Sequence, residues 1–147
     1  MCLYSKTNKM LKAEKDIVCY KFLLKKERTL CTPFMGEEIK KLPHVAYGKV
    51  NEEKELKILN KDNIFQSDKK SFTHSVTLKD EVYYEVDDGF IHAFQTEKDC
   101  IEALNEYVFW NPHNFVFIAK CIIPKGAGYF KGKFNDICAT QMKIGVE

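Results

Sequence analysis

No stretch of this chain approaches the roughly 20 consecutive apolar residues that a membrane-crossing helix needs. The opening MCLYSKTNKMLKAEK also lacks the unbroken hydrophobic region of a secretory leader. Both absences point to a cytoplasmic protein with no membrane partner. Glycine and proline number only 7 and 4, which excludes collagen-like and linker-rich chains. There is no internal repeat and no low-complexity tract.

The familiar chemical signatures are missing as well. The phosphate loop G-x-x-x-x-G-K-[ST], the dinucleotide fingerprint G-x-G-x-x-G, H-E-x-x-H and G-x-S-x-G do not occur. The enzyme classes they mark have no support here, and no motif asks for a cofactor. Cysteine is present but unpaired in sequence: Cys2, Cys19, Cys31, Cys100, Cys121 and Cys138 form no C-x-x-C and no zinc-finger spacing with histidine. Free thiols, buried or half-buried, are the simplest reading, and no metal site is expected.

What is there suits a globular domain. At 147 residues, 45% hydrophobic and 30% charged, the chain can bury a core without disulfide or metal staples, and a single domain over 1–147 is expected. The net charge is only +2 but is unevenly placed. Residues 1–30 hold 8 basic and 3 acidic side chains, whereas residues 80–106 hold 9 acids and 1 lysine, a local charge of −8. Such an acidic stretch repels a phosphate backbone and disfavours nucleic acid as a partner. Lys125, Lys131 and Lys133 interleave with Tyr129, Phe130 and Phe134 in the manner of a single-strand surface. That footprint is thin, and Gly126, Gly128 and Gly132 fit a hairpin loop equally well.

Along the chain, residues 1–15 read as an extended lead-in or one short helical turn. DIVCYKFLL from Asp16 to Leu24 is a β-branched and aromatic strand, followed by a polar turn at 25–28 back to Leu30-Cys31-Thr32. Short strands are expected around Pro43, at 37–42 and 45–50, with 51–61 undecided between helix and edge strand and 62–75 a loop. NFVFIAKCII from Asn114 to Ile123 is apolar on both faces and reads as an interior strand. A last strand covers 137–146, with Cys138, Thr140, Met142, Ile144 and Val146 on its buried face.

The densest signals lie between Val82 and Val108. Val82-Tyr-Tyr-Glu-Val86 and Phe90-Ile-His-Ala-Phe94 flank Asp87-Asp88-Gly89, and Asp-Gly is a favoured hairpin turn. The expectation is a hairpin: a two-residue loop at Asp88-Gly89 sets Glu85 opposite His92, and a loop one residue longer sets Tyr84 there instead. Thr96-Glu-Lys-Asp99 then caps a helix over about 97–109, with Cys100, Ile101, Ala103, Leu104, Tyr107 and Val108 at core spacing. The fold class implied is α+β: a mostly antiparallel sheet of about five to seven strands with one main helix packed on it.

CYKFLL, Thr32-Pro33-Phe34, Gly89-Phe90-Ile91-His92-Ala93-Phe94 and Cys121-Ile-Ile-Pro124-Lys-Gly126-Ala-Gly-Tyr129 resemble a loose family of small uncharacterised bacterial and phage proteins. In that family the glycine, aromatic and histidine run together, whereas Ile91 intervenes here. The succession of glycine-aromatic strand, capped helix and apolar strand ending in proline also resembles part of the ADP-ribosyltransferase fold. That second likeness implies a cleft that grips NAD.

The candidate site gathers around the hairpin. A carboxylate at Glu85 would orient and charge the imidazole of His92. Tyr83, Phe94, Trp110 and His113 could wall a pocket, since aromatics with polar tips often do. The leading reading is a non-catalytic accessory module that binds a small molecule or a protein partner near His92. The alternative is an enzyme acting on NAD or another nucleotide.

Overall fold

The computed structural model describes residues 3–26, 29–32, 38–52, 55–59, 73–86, 89–110 and 115–146. The expected strand after Asp16 is β3 (Ile17–Lys26), and it lies antiparallel to β11 (Phe115–Ile123) in continuous register from Ile17↔Ile123 to Lys25↔Phe115. β11 has a second neighbour, β14 (Gln141–Ile144), so it is interior, as its uninterrupted apolar sequence requires. On its other side β3 meets β10 (Ile91–Phe94) at the single pair Phe94↔Tyr20, and β10 continues into β13 (Asp136–Ala139). β3 also pairs with β4 (Thr29–Cys31), which pairs in turn with β5 (Glu38–Ile39); residues 27 and 28 of the expected polar turn lie outside the described residues.

This sheet curls. β13 and β14 are separated in the chain by Thr140 alone, yet β10, β3 and β11 lie between them in the strand order. A path that begins and ends on consecutive segments has to bend round until its sides meet. Thr140 is the seam. Its N–H donates to Gly128 O at 3.0 Å, its carbonyl accepts the Gly48 N–H at 2.8 Å, and its hydroxyl accepts the Gly128 N–H at 3.0 Å. Gly128 begins β12 (Gly128–Lys131), which pairs with β13 and with β2 (Leu11–Lys12), and Gly48 belongs to β6 (His44–Glu52), which pairs with β14 and with β7 (Glu55–Leu59). Only glycine fits at position 48, since a Cβ there would stand 2.9 Å from the Gly89 carbonyl oxygen. Inside the curl lie Cys19, Leu23, Ala93, Ala119, Cys121, Ile123, Ile137, Ala139, Met142 and Ile144.

A smaller sheet covers one end of the curl. It has three strands in the order β1 (Leu3–Ser5), β9 (Glu81–Val86), β8 (Thr73–Leu78). Leu3 and Val86 pack from it onto Phe90, Phe130 and Cys138 of the large sheet, and the Phe90 and Phe130 rings meet edge to face at 5.6 Å. The helix α1 (Glu97–Trp110) lies elsewhere on the outer face, with Cys100, Ala103, Leu104 and Tyr107 against Tyr20, Phe22, Phe94 and Ile118. Thr96 caps it: the Asp99 N–H donates to its hydroxyl at 3.1 Å, and the hydroxyl in turn donates to the Asp99 carboxylate. Ile101, expected on the buried face, is 40% exposed.

The α+β class holds, with all pairings antiparallel among the described residues, but fourteen strands replace the expected five to seven. The surplus comes from short pieces. The lead-in forms β1 and β2 rather than a helical turn, and the last strand breaks at Thr140 into two segments with different neighbours. Of the loop expected over 62–75, Thr73, His74 and Ser75 instead open β8, and residues 62–72 lie outside the described residues.

The central hairpin is the main correction. Both expected strands exist, yet Val82–Val86 lies in the small sheet and Ile91–Phe94 in the large one. β9 is indeed half of a hairpin, but with β8, through a two-residue turn at Lys79 and Asp80 in the register Leu78↔Glu81. Those two residues carry the positive φ values, 49° and 66°, whereas among the described glycines only Gly126 and Gly145 do. β9 and β10 therefore do not pair with each other, and Asp87 and Asp88 of the expected turn lie outside the described residues.

Candidate ligand cleft between the two sheets

With β9 and β10 in separate sheets, Glu85 and His92 do not face one another. Glu85 stands opposite His74 on β8, and the Glu85 carboxylate lies 2.9 Å from His74 Nε2. A cross-strand acid–imidazole pair therefore exists, made with His74, which the sequence pattern places in a loop. At 64% side-chain exposure for His74, it is a surface pair of small energetic weight.

His92 has a different environment. It sits opposite Cys138, and both of its ring nitrogens are buried without a hydrogen-bond partner among the described residues. Burial, aided by the Lys21 ammonium, pushes its pKa down to about 3, so the ring is neutral at physiological pH. Lys21 approaches because β10 and β3 part company beyond Phe94↔Tyr20, and its Nζ donates to the His92 carbonyl at 2.7 Å. The residue as a whole is half-buried, but with both ring nitrogens sealed from solvent the neutral imidazole is not placed as a base facing a substrate.

Of the remaining proposed wall residues, the two whose side chains are described, Tyr83 and Phe94, do not come together. Phe94 is core, packed with Phe22 and Cys100 under the helix. Trp110 ends α1 and only its backbone is described, while His113 lies outside the described residues. Tyr83 borders a cavity.

That cavity opens between the small sheet and the β2–β12 edge of the large one. It has a volume of about 480 Å³ and is lined by Ser5, Lys6, Thr7, Leu11, Tyr83, Lys131, Gly132 and Lys133. Local pairing brings these together: Ser5 is in register with Tyr84, Leu11 with Tyr129, and the Lys133 N–H donates to Tyr4 O at 2.8 Å, which ties the turn after β12 to β1. The turn itself is held by the buried Asp136, whose carboxylate accepts the Phe134 N–H at 3.3 Å, and a Cβ on Gly132 would collide with that carboxylate.

The cleft is electrostatically positive. Lys6, Lys131 and Lys133 border it, against two nearby carboxylates, the exposed Glu81 and the buried Asp136 beside Gly132. The Tyr83 hydroxyl donates to Glu81 at 2.5 Å, which with Lys6 and Lys133 holds that carboxyl below its ordinary range and raises the Tyr83 hydroxyl. Lys133 Nζ lies 4.7 Å from the centre of the Tyr83 ring and 5.5 Å from that of Phe134, a side chain left 64% exposed. The Ser5 and Thr7 hydroxyl oxygens accept the N–H groups of Thr7 and Lys9 at 3.2 and 3.1 Å. Each hydroxyl thus keeps its own proton to donate. Such a set can hold an anion: ammonium groups for charge, hydroxyls for direction, and Leu11 for an apolar portion.

Comparison with protein families, with curated proteins and with solved structures finds no match. The site therefore stands on its geometry. Among the described residues, no group of three or more His, Cys, Asp or Glu is placed to hold a metal ion, and no helix is long and apolar enough to cross a membrane. Sequence reasoning noted Lys131 and Lys133 but missed Ser5, Lys6 and Thr7. The signal that could have added them was the basic excess of residues 1–30, which had no assigned destination. Phe130 is core and Tyr129 half-buried, so of the three interleaved aromatics only Phe134 is available to a partner.

Proposed function

We propose that the protein is a small non-catalytic binding module whose ligand is a small organic anion held in the cleft between the two sheets. The observation that carries this reading is the convergence of Lys6, Lys131 and Lys133 with the Ser5 and Thr7 hydroxyls around a cavity of about 480 Å³, a size suited to a small molecule. The binding role is the one expected from the sequence, with its centre moved from His92 to Tyr83. An enzyme built on Glu85 and His92 loses its geometric support, because the two residues belong to different sheets.

The test is a thermal-shift and calorimetric panel of phosphate, pyrophosphate, dicarboxylates and nucleotides against uncharged sugars. Anions should raise the melting temperature by roughly 5 °C or more at a hundredfold excess over their Kd. The effect should weaken as salt is added. A Lys6→Glu, Lys131→Glu, Lys133→Glu variant, folded by circular dichroism, should lose the response. Equal response to neutral sugars, no response to any anion, or an undiminished response in that variant would sink the proposal.

A further inference from the structure

Five buried cysteines appear among the described residues, and two of them meet. Cys19 on β3 and Cys121 on β11 are direct register partners, and both side chains point into the curl. Facing residues on antiparallel strands have Cα atoms about 4.5 or 5.5 Å apart, and either spacing lies inside the range a disulfide spans. Their Cβ atoms, about 4.5–5.5 Å apart in such pairs, need to close by roughly 1 Å. The other three cysteines have no such counterpart: Cys138 faces His92 and Phe130, Cys31 faces Leu24 and Glu38, and Cys100 is on the helix.

We propose that Cys19 and Cys121 form a covalent modification site, a dithiol that a hydroperoxide converts to an intramolecular disulfide joining β3 to β11. The interior is arranged for it. The Cys19 thiol points at the Met142 sulfur at 4.0 Å and the Cys121 thiol donates to the Ala119 carbonyl at 3.5 Å, and the facing of the two thiols lowers the pKa of Cys121 and, together with burial, raises that of Cys19. Cys121 is therefore the thiol with more thiolate character, and the Lys21 ammonium acts in the same direction. The Cys121 thiolate attacks one peroxide oxygen and breaks the O–O bond, giving a sulfenic acid and hydroxide, which takes up the proton that Cys121 released. The Cys19 sulfur then attacks the sulfenic sulfur, the S–O bond breaks, and the departing hydroxyl takes the Cys19 proton as water. Two thiols and one hydroperoxide become one disulfide and two waters when the peroxide is hydrogen peroxide. Both thiols are fully buried, so entry follows opening of the sheet and favours an oxidant the size of water.

The experiment is to treat the folded protein with hydrogen peroxide, alkylate remaining thiols in denaturant, and map non-reduced peptides by mass spectrometry. The expected result is one dominant linked species joining the Cys19 and Cys121 peptides, lost on reduction, while a bulky aromatic disulfide reagent leaves both thiols unlabelled in the native state. Cys19→Ser and Cys121→Ser should each abolish the link. The inference is overturned if peroxide leaves both thiols free for alkylation, links either one to another cysteine, or halts at sulfinic acid. It is equally overturned if the oxygen goes to Met142, whose sulfur lies 4.0 Å from Cys19 Sγ, without a crosslink. The wild-type map decides the matter even if a variant fails to fold.

Discussion

His92 concentrates the conflict between burial and polarity in this molecule. A neutral imidazole carries one donor and one acceptor, and here neither finds a partner among the described residues. The depressed pKa fixes the sign of the pH effect. Unfolded, the ring takes a proton below its ordinary value of 6.5, whereas folded it stays neutral down to about 3. The unfolded state binds more protons in that window, so stability falls as pH drops through it, by up to about 1.4 kcal/mol per pH unit. Between pH 7 and 4 the wild type should therefore lose more stability than His92→Leu by about 1–3 kcal/mol, read from urea melts. Parallel curves for the two proteins would show that the ring is hydrated or paired after all. This residue also marks a limit of reading by pattern. A glutamate and a histidine at hairpin spacing are visible in sequence, but which histidine faces Glu85 depends on where the chain reverses, and the answer is His74.

At the scale of elements, the strands themselves were legible and their partners were not. β3, β9, β10, β11 and the capped helix all announce themselves through β-branched runs, alternation or a Thr-x-x-Asp start. The error came from the turn. Asp88-Gly89 carries the residue types that a tight reversal favours, whereas Lys79-Asp80, which makes it, does not. Two non-glycine residues with positive φ have an unfavourable backbone, so the β8–β9 hairpin is held by its strands against its own turn. Replacing Lys79-Asp80 with Asn-Gly should accordingly stabilise the protein by about 0.5–1 kcal/mol, seen as a raised melting temperature. A lowered one would mean that the native side chains make contacts outweighing the backbone relief. Short pieces such as β1, β2 and β5 have too few residues to show any period, which is why the strand count came out low.

For the molecule as a whole, the contact between the two sheets is the feature that sequence could not disclose, since it joins residues from both ends of the chain. Leu3, fully buried, sits there with Val86, Phe90, Phe130 and Cys138. Leu3→Ala should cost about 2–5 kcal/mol, while Leu11→Ala, at a side chain 41% exposed, should cost well under half of that. Equal costs in chemical denaturation would mean that the small sheet is not seated as described. The basic N-terminal segment finds its destination through the same contact, because seating β1 is what carries Lys6 to Lys131 and Lys133. The seam at Thr140 bears on how such a chain comes into being on the ribosome. Every other strand of the curl precedes residues 136–144 in the order of synthesis, so a nascent chain lacking them holds an open trough with its lining of aliphatic groups in water. Closure waits for those last few segments to emerge, and until then the growing polypeptide is a natural client for chaperones that shield apolar surface.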